Sequence, residues 1–294
     1  MTELIYVILV NYNGADDTNE CVKSLCEADY KNLRLVIVDN ASTTGRVSYN
    51  GIISEDKCTI LYQEENIGFA GANNIGIQYA MQFNPSYILI LNNDTVVTKG
   101  FLQPLIDALK RDKSIVIVTG KIYYFDDKET IWFGGSFYDC SLCENKIDGI
   151  RKPDDERYNV AKDIPFATGC LWLMPTTVIE TVGLMSEDYF LYYEDADYCE
   201  RVKREGYRIW YEPSSVIYHK ESRSTKKGSA IYHYYNLRNY LVYISKHCEK
   251  ERRYKMYCKR AVRTIKDIIK GRQDVDVSIK AWKDFVFSRY GKSN

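Results

Sequence analysis

The chain contains the segment Ser86-Tyr87-Ile88-Leu89-Ile90-Leu91-Asn92-Asn93-Asp94-Thr95, in which an unbroken apolar run ends in a polar cluster with one carboxylate. A run of this length predicts a strand that is buried on both faces of a parallel sheet. In open α/β sheets, ligands bind at the carboxyl ends of the strands. We therefore expect Asn92, Asn93 and Asp94 to lie at a ligand site.

Asp94 is a candidate ligand for a divalent cation. Mg²⁺ and Mn²⁺ favour oxygen ligands, and they commonly take one or two protein carboxylates while substrate phosphates fill the other positions. A competing interpretation is that residues 92–95 form only a turn and a helix cap, because such side chains satisfy free backbone N–H groups. These residues alone do not separate the two interpretations.

The length and composition of the chain set broad limits on its function. Its 294 residues, 45% of them hydrophobic, can bury the core of one large domain or of one domain with an appendage. Lys and Arg number 40, as do Asp and Glu, and this balance argues against a general nucleic-acid-binding protein.

The first residues and the cysteines indicate a cytoplasmic protein. The apolar run at residues 4–10 has no basic leader, which argues against a signal peptide, and no window approaches the roughly 18 apolar residues of a membrane span. Nine scattered cysteines predict free thiols in a reducing compartment. Cys140 and Cys143 have the spacing of half a zinc site, but no second pair follows at suitable spacing.

Polar residues follow three further predicted strands. The apolar runs cover residues 4–10, 33–38 and 59–62. They lead into Asn11, Asp39 and Asn66, and helical spacing predicts helices over residues 17–28 and 70–83. This alternation predicts a doubly wound sheet whose carboxyl edge forms a nucleotide-sized site. Neither a dinucleotide-binding Gly-x-Gly-x-x-Gly nor a Walker-type phosphate loop is present, which disfavours dehydrogenases and P-loop enzymes.

The second half of the chain is less regular. We predict, in order, a helix over 99–110, strands over 115–118 and 121–125, a strand over 166–174, a short helix to 182, and strands over 208–211 and 215–218. Residues 126–163 have poor periodicity, which is typical of a hairpin with a long loop that shapes an acceptor site, or of a solvated surface excursion.

Glu194 and Asp195 form a second carboxylate cluster. Apolar residues at helical spacing after them place both acids in the first turn of a helix, where the helix dipole favours the ionised form that a general base needs. Acids are also common in first turns for that reason alone. His219 follows a predicted strand, and beside Asp94 and a phosphate it becomes a candidate metal ligand.

Seven motifs follow one another along the chain: Val10-Asn11-Tyr12-Asn13-Gly14, Val38-Asp39-Asn40-Ala41-Ser42, Glu65-Asn66-Ile67-Gly68-Phe69-Ala70-Gly71-Ala72-Asn73-Asn74, Leu91-Asn92-Asn93-Asp94-Thr95, Thr168-Gly169-Cys170, Tyr193-Glu194-Asp195-Ala196-Asp197, and His219. Together they resemble the family-2 glycosyltransferases, the inverting enzymes with a GT-A fold, and most closely their bacterial rhamnosyltransferase-like branch. The resemblance covers roughly residues 4–245.

The resemblance implies an α/β protein with the GT-A (nucleotide-diphospho-sugar transferase) fold, a mostly parallel central sheet and a C-terminal helical extension. The catalytic domain would cover residues 1–228, with a nucleotide-binding half at 1–98 and an acceptor-binding half at 99–228. The extension would cover residues 229–294.

The resemblance also implies a donor pocket for a UDP- or dTDP-linked sugar. Asp39 would hydrogen-bond the nucleobase, and Asn11 and Asn66 would line the same pocket. The further expected donor contacts are Asn74, Asn93 and Arg238.

By the same resemblance, Asp94 would be the metal-binding end of an Asp-x-Asp motif that holds Mn²⁺ or Mg²⁺. The sequence departs from that motif because Asn92 occupies the first Asp position. A neutral amide removes one charge from the site, so His219 becomes more important as a second ligand.

Asp195 matches the family's general base, with Glu194 as the neighbouring candidate. It would take the proton of an acceptor hydroxyl, which attacks the anomeric carbon opposite the leaving diphosphate. The acceptor would be a saccharide, in some branches lipid-linked, in bacterial surface polysaccharide synthesis. Two alternatives stay open: a non-catalytic protein that binds sugar nucleotides or glycans on the same fold, and a sugar-nucleotide nucleotidyltransferase.

Residues 246–272 form a basic segment near the end of the chain. Eleven Lys and Arg face three acidic residues, a net charge of +8. Apolar residues recur at helical spacing and predict a basic amphipathic helix that could lie on an anionic membrane surface, as a peripheral contact. The alternative is that the apolar face packs on the catalytic domain and the charges are solvated.

Overall fold

The computed structural model describes residues 3–45, 47, 52–221 and 228–293. The strands are β1 (Ile5–Asn11), β2 (Leu33–Asp39), β3 (Cys58–Tyr62), β4 (Tyr87–Asn92), β5 (Thr95–Val97), β6 (Ile115–Tyr124), β7 (Thr130–Phe133), β8 (Ser136–Asp139), β9 (Glu144–Ile147), β10 (Lys152–Pro153), β11 (Lys162–Asp163), β12 (Leu171–Pro175) and β13 (Arg208–His219). The helices are α1 (Ala15–Glu27), α2 (Gly68–Met81), α3 (Leu102–Arg111), α4 (Thr176–Val182), α5 (Glu194–Arg204), α6 (Ala230–His247), α7 (Lys250–Ile269) and α8 (Val275–Val286).

A mixed sheet of eleven strands organises the chain. Its main path is β10-β7-β6-β12-β4-β1-β2-β3, and β13 runs parallel beside β6. The strands β3, β2, β1 and β4 are parallel to one another, as the alternating pattern predicts. One antiparallel strand, β12, lies between β4 and β6. The expected α/β architecture is therefore confirmed, with a mostly parallel sheet that carries antiparallel insertions.

The core lies in the central strands and in the helices packed on them. The strand residues Ile5–Leu9 and Tyr87–Leu91 are all buried, which explains their continuous apolar runs. Helix α2 packs on β1 and β2 and approaches so closely at Gly76 that an added Cβ would lie 2.5 Å from Ile8 Cγ2. This close approach fixes the position of the loop that precedes α2.

Two pairs of predicted strands are single long strands in the structure. Residues 115–118 and 121–125 belong to β6, and residues 208–211 and 215–218 belong to β13. The ladder between them continues across an irregularity between Glu212 and Val216. Gly120 lies against the Ser215 backbone there, where a side chain could not fit, so the glycine that suggests a break instead permits close packing.

The C-terminal part is helical, but the predicted single basic helix over 246–272 is wrong. Helix α6 ends at His247, Cys248 is extended, and α7 begins at Lys250. Helices α7 and α8 both contact α6. Across the described ranges, no helix combines the length and apolar character that crossing a bilayer requires. The predicted hairpin within residues 126–163 is present as β8 and β9.

Candidate active site

The carboxyl ends of β1 and β2 bring Asn11 and Asp39 together. The two residues are register partners, and Asn11 Nδ2 donates to Asp39 Oδ2 at 2.8 Å. The backbone N–H of Ser42 donates to Asp39 Oδ1 at 2.8 Å. Both side chains are buried. Each carboxylate oxygen is thus fixed by a donor and keeps lone-pair capacity for a ligand N–H.

Asn93 joins this network through Thr18. Asn11 Oδ1 accepts from Thr18 Oγ1 at 2.9 Å, and Asn93 Nδ2 donates to the same Thr18 Oγ1 at 2.8 Å. Asn11 and Asn93 therefore occupy one cluster, as the sequence predicted. Thr18 was missed, because a threonine one turn into a helix gives no signal of its own.

A second amide cluster holds the loop before α2. Asn40 Nδ2 donates to Asn66 Oδ1 at 3.0 Å, and Asn40 Oδ1 accepts from the Ile67 N–H at 2.9 Å. Gly68 has a φ of 80° and leaves no room for a Cβ against Phe190. The loop that carries Asn66 is thereby held against the segment that precedes Glu194 and Asp195.

Asp94 and His219 form a buried pair at the ends of β5 and β13. Asp94 Oδ1 and His219 Nε2 are 3.0 Å apart, and the side chains are 9% and 3% exposed. Burial alone would raise the pKa of Asp94, but the charge and hydrogen bond of His219 outweigh it and hold that pKa below its usual value. Trp132 packs edge-on against the His219 ring, with centroids 4.4 Å apart.

The Asp94 site fits a divalent cation that is shared with a substrate. Asp94 Oδ2 is buried and has no hydrogen-bond partner among the described residues, so one carboxylate oxygen is available to a ligand. A cavity of about 220 Å³ adjoins it, lined by Asp17, Asp94, Phe125, Asp126 and Lys220. No cluster of three His, Cys, Asp or Glu side chains suited to a metal occurs in the described ranges. A cation here would need phosphate oxygens as further ligands.

Asn92 stands beside this pair without supplying charge. Its Nδ2 lies 3.5 Å from His219 Nε2, and its backbone N–H donates to Cys170 O at 3.0 Å. The neutral amide therefore contacts the candidate metal ligands in the position where a second carboxylate was expected from the resemblance.

Glu194 and Asp195 open α5, as predicted, but their environments differ. Asp195 is half-buried, and its two oxygens accept from the Gly169 N–H at 3.2 Å and the Ala196 N–H at 2.8 Å. Burial raises the pKa of Asp195 to about 6, although these N–H groups act in the opposite direction. Glu194 is buried, and burial together with the Asp195 charge raises its pKa well above the usual range. At neutral pH, Asp195 is therefore the better source of an ionised carboxylate.

A short main-chain segment joins the two acidic sites. Cys170 O accepts from the N–H of Asn92, two residues from Asp94, while the adjacent Gly169 N–H donates to Asp195. Both residues directly precede β12, which pairs with β4 along its length. The structure thus brings Asp94 and Asp195 to the same edge of the sheet, although they are far apart in the sequence.

Asn74 and Arg238 are expected donor contacts that the structure places in the scaffold. The Asn74 amide donates to Met185 O and to Glu187, and it accepts from the Met185 N–H. Arg238 is fully buried and donates to Asn239 Oδ1 and to two backbone carbonyls. Because these polar groups are satisfied internally, the expectation that both residues contact the donor needs correction.

Asn239 is a site residue that the sequence did not indicate. Its Nδ2 donates to the carbonyls of Leu191 and Tyr192 at 2.8 and 2.9 Å. Tyr192 and Tyr193 have φ values of 68° and 74°, a conformation that non-glycine residues rarely adopt. Asn239 therefore holds the strained turn that aims Glu194 and Asp195, and only the tertiary structure shows this contact.

Comparison with known proteins identifies the family. The Glycosyl transferase family 2 profile matches residues 6–183, which include Asn11, Asp39, Asn66 and Asp94. The chain belongs to glycosyl transferase family 2. It is 25% identical over 210 residues to the low-salt glycan biosynthesis hexosyltransferase Agl10 of Haloferax volcanii, covering 71% of this chain and 64% of that protein.

Two further similarities support this family 2 assignment and its fold. The chain is 24% identical over 260 residues to the dTDP-rhamnosyl transferase RfbF of Shigella flexneri, covering 84% of this chain and 81% of the relative. The structure of GalNAc-T7 with UDP, GalNAc and Mn²⁺ superposes with a TM-score of 0.64 at 17% identity, covering 83% of this chain and 48% of that one. This family 2 chain therefore has the GT-A fold that its motifs imply, but it spans less than two thirds of Agl10 and of GalNAc-T7.

Proposed function

We propose that this family 2 chain is an inverting hexosyltransferase that moves a sugar from a nucleoside-diphosphate sugar to a hydroxyl of a saccharide acceptor. The observation that carries this proposal is the short link through Gly169 and Cys170, which brings Asp94 and Asp195 to one edge of the sheet. A leaving group and a general base need such a fixed separation, because they act on opposite sides of the reacting carbon.

The donor base would bind at Asp39. A uracil or thymine ring presents an imide N–H, and the Asp39 carboxylate is held by Asn11 and Ser42 with acceptor capacity to spare. This chemistry suits UDP- or dTDP-linked sugars, and the similar RfbF is named as a dTDP-rhamnosyl transferase. We propose a rhamnose-like donor and a role in surface polysaccharide synthesis on this basis.

Asp94 and His219 would hold Mn²⁺ or Mg²⁺ beside the diphosphate. When bound, the cation supplies positive charge that stabilises the leaving nucleoside diphosphate. Asp94 contributes its unpaired Oδ2, and Asn92 contributes no charge. The mannosyltransferase PcManGT of Pyrobaculum calidifontis has a solved structure with GDP-Man and Mn²⁺, and the chain shares its fold at a TM-score of 0.58 and 16% identity, covering 99% of this chain and 81% of that one.

Asp195 would act as the general base. Its ionised carboxylate accepts the proton of the acceptor hydroxyl as the hydroxyl oxygen forms a bond to the anomeric carbon. The bond from that carbon to the diphosphate oxygen breaks on the opposite side, and the electron pair leaves with the nucleoside diphosphate. The configuration at the anomeric carbon is inverted in one displacement.

A two-stage experiment tests this proposal. Nucleotide sugars are first screened for release of free nucleoside diphosphate, with and without Mn²⁺, in the presence of candidate saccharide acceptors. The product of the active pair is then compared with the donor by NMR of the anomeric proton. Retention of configuration would refute Asp195 as the base of a single displacement.

A non-catalytic binding protein is the second candidate, because Asn92 replaces a carboxylate at the metal site. It predicts donor binding by calorimetry without acceptor-dependent release of nucleoside diphosphate. Acceptor-dependent turnover of any nucleotide sugar would eliminate it.

A further inference from the structure

Helix α7 exposes an apolar stripe to solvent. Tyr254, Val262, Ile265 and Ile269 are 80%, 51%, 56% and 78% exposed. At 100° per residue they fall within an arc of about 80° on the helix surface. We call these four residues the outer stripe. Large apolar side chains that gather on one exposed face commonly mark an interaction surface.

A different face of α7 holds the helix on the protein. Met256 and Thr264 are buried, and the Tyr257 ring packs on Phe285 of α8 with centroids 5.5 Å apart. Arg260 lies over the Tyr240 ring of α6. Because this inner face provides the packing, the outer stripe has no part in anchoring α7.

Lysines run alongside the outer stripe. Lys255, Lys266 and Lys270 are exposed and lie between about 100° and 160° around the helix from Tyr254, directly beside the stripe. No described residue forms an ion pair with any of the three. Residues 246–272 carry a net charge of +8, although the whole chain is neutral.

We propose that the outer stripe and its lysines dock this protein on an anionic membrane surface. In this arrangement α7 lies in the plane of the interface, with Ile265 and Ile269 among the upper acyl groups and the lysines at the level of the lipid phosphates. An apolar strip bordered by cations matches both properties of such a surface, its apolar interior and its negative potential.

Charge distinguishes this occupant from the others. A second copy placed on the outer stripe by two-fold symmetry would bring two sets of unpaired lysines together, and like charges would oppose the contact. Nucleic acid would match the lysines but leave the isoleucines and Tyr254 in water. Helix α8 also exposes apolar residues, but Asp276 lies among its lysines, so α7 is the helix whose charge selects an anionic partner.

Vesicle flotation with the full chain tests the proposal. We expect binding to phosphatidylcholine vesicles that contain phosphatidylglycerol, little binding to phosphatidylcholine alone, and release at about 0.5 M NaCl, where the screening length falls to roughly 4 Å. The triple variant Lys255→Gln/Lys266→Gln/Lys270→Gln should bind at least about tenfold more weakly, since each lysine near such a surface contributes roughly fivefold.

A second variant and a matched control separate apolar insertion from charge. Ile265→Ser/Ile269→Ser keeps every charge and should also lose about tenfold or more in binding. Lys23→Gln/Lys31→Gln/Lys113→Gln removes the same charge from exposed positions elsewhere and should bind within about twofold of the parent chain.

Three results would overturn the proposal. These are equal binding to charged and uncharged vesicles, an Ile265→Ser/Ile269→Ser variant that floats like the parent, and a concentration-dependent dimer in sedimentation that the same variant abolishes. The last result would assign the outer stripe to a second copy of the chain.

Discussion

Replacing Asp195 with Asn removes the proposed base while keeping the size of the side chain. In the parent structure the two carboxylate oxygens accept from the Gly169 and Ala196 N–H groups. The amide keeps one oxygen acceptor for these donors but cannot take a proton at neutral pH. A positioned general base contributes about 10²–10⁴ in rate, or roughly 3–5 kcal/mol of barrier, so we expect turnover to fall by that factor.

The raised pKa of Asp195 adds a pH dependence to this prediction. Because burial raises that pKa to about 6, the base is about 90% ionised at pH 7 and about 10% ionised at pH 5. The rate of the parent enzyme should therefore fall about ninefold from pH 7 to pH 5, with a midpoint near pH 6. Activity is present above the raised pKa and is lost as the pH falls through it.

The assay is acceptor-dependent release of nucleoside diphosphate at saturating donor, with donor affinity measured separately by calorimetry. Glu194→Gln is the matched control, because Glu194 is buried and its raised pKa favours the protonated form at neutral pH. It should retain the pH midpoint and lose much less activity. Turnover of Asp195→Asn within about threefold of the parent would refute the assignment, and so would a parent rate that is flat down to pH 5.

Four other changes probe the site and the scaffold. Asp94→Asn should raise the Mn²⁺ concentration for half-maximal activity by more than about tenfold; an unchanged metal titration would argue against a cation at Asp94. Asp39→Asn places an amide where two donors point, and calorimetry should show donor binding weakened by about 1–3 kcal/mol, with unchanged affinity contradicting the donor pocket. Asn239→Ala releases the turn before the base and should lower kcat while the donor KM stays the same; a rise in KM alone would place its role in donor binding. Gly76→Ala forces a Cβ against Ile8 and should lower the free energy of unfolding by about 1–3 kcal/mol in a urea titration, whereas unchanged stability would mean that α2 shifts at no cost.

The parallel part of the sheet was predictable because its strands have a simple pattern. Strands buried on both faces need continuous apolar runs, and their polar ends fall on one edge, so Asn11, Asp39 and Asp94 follow from the sequence alone. The antiparallel insertion of β12 was not predictable in the same way. An apolar run gives no strand direction, and direction is set by the partners that the strand finds in the fold.

The roles of individual amide and guanidinium groups were not predictable either. Asn74 and Arg238 have the chemistry of ligand-binding residues, but the same donors and acceptors satisfy loops and backbone carbonyls. Asn239 shows the converse, since it follows Arg238 directly and gives no sequence signal, yet it fixes the turn before Asp195. Long-range contacts decide which polar group is left free for a substrate.

The segment at Gly169 and Cys170 has a consequence for how such enzymes diversify. It contacts Asn92 and Asp195 through main-chain N–H and C=O groups, which every amino acid other than proline provides. The gap between the two acids is thus specified by backbone geometry instead of by side-chain identity. Mutations in the surrounding loops can then alter which sugars are accepted during evolution, or in directed engineering, while the chemical step keeps its spacing.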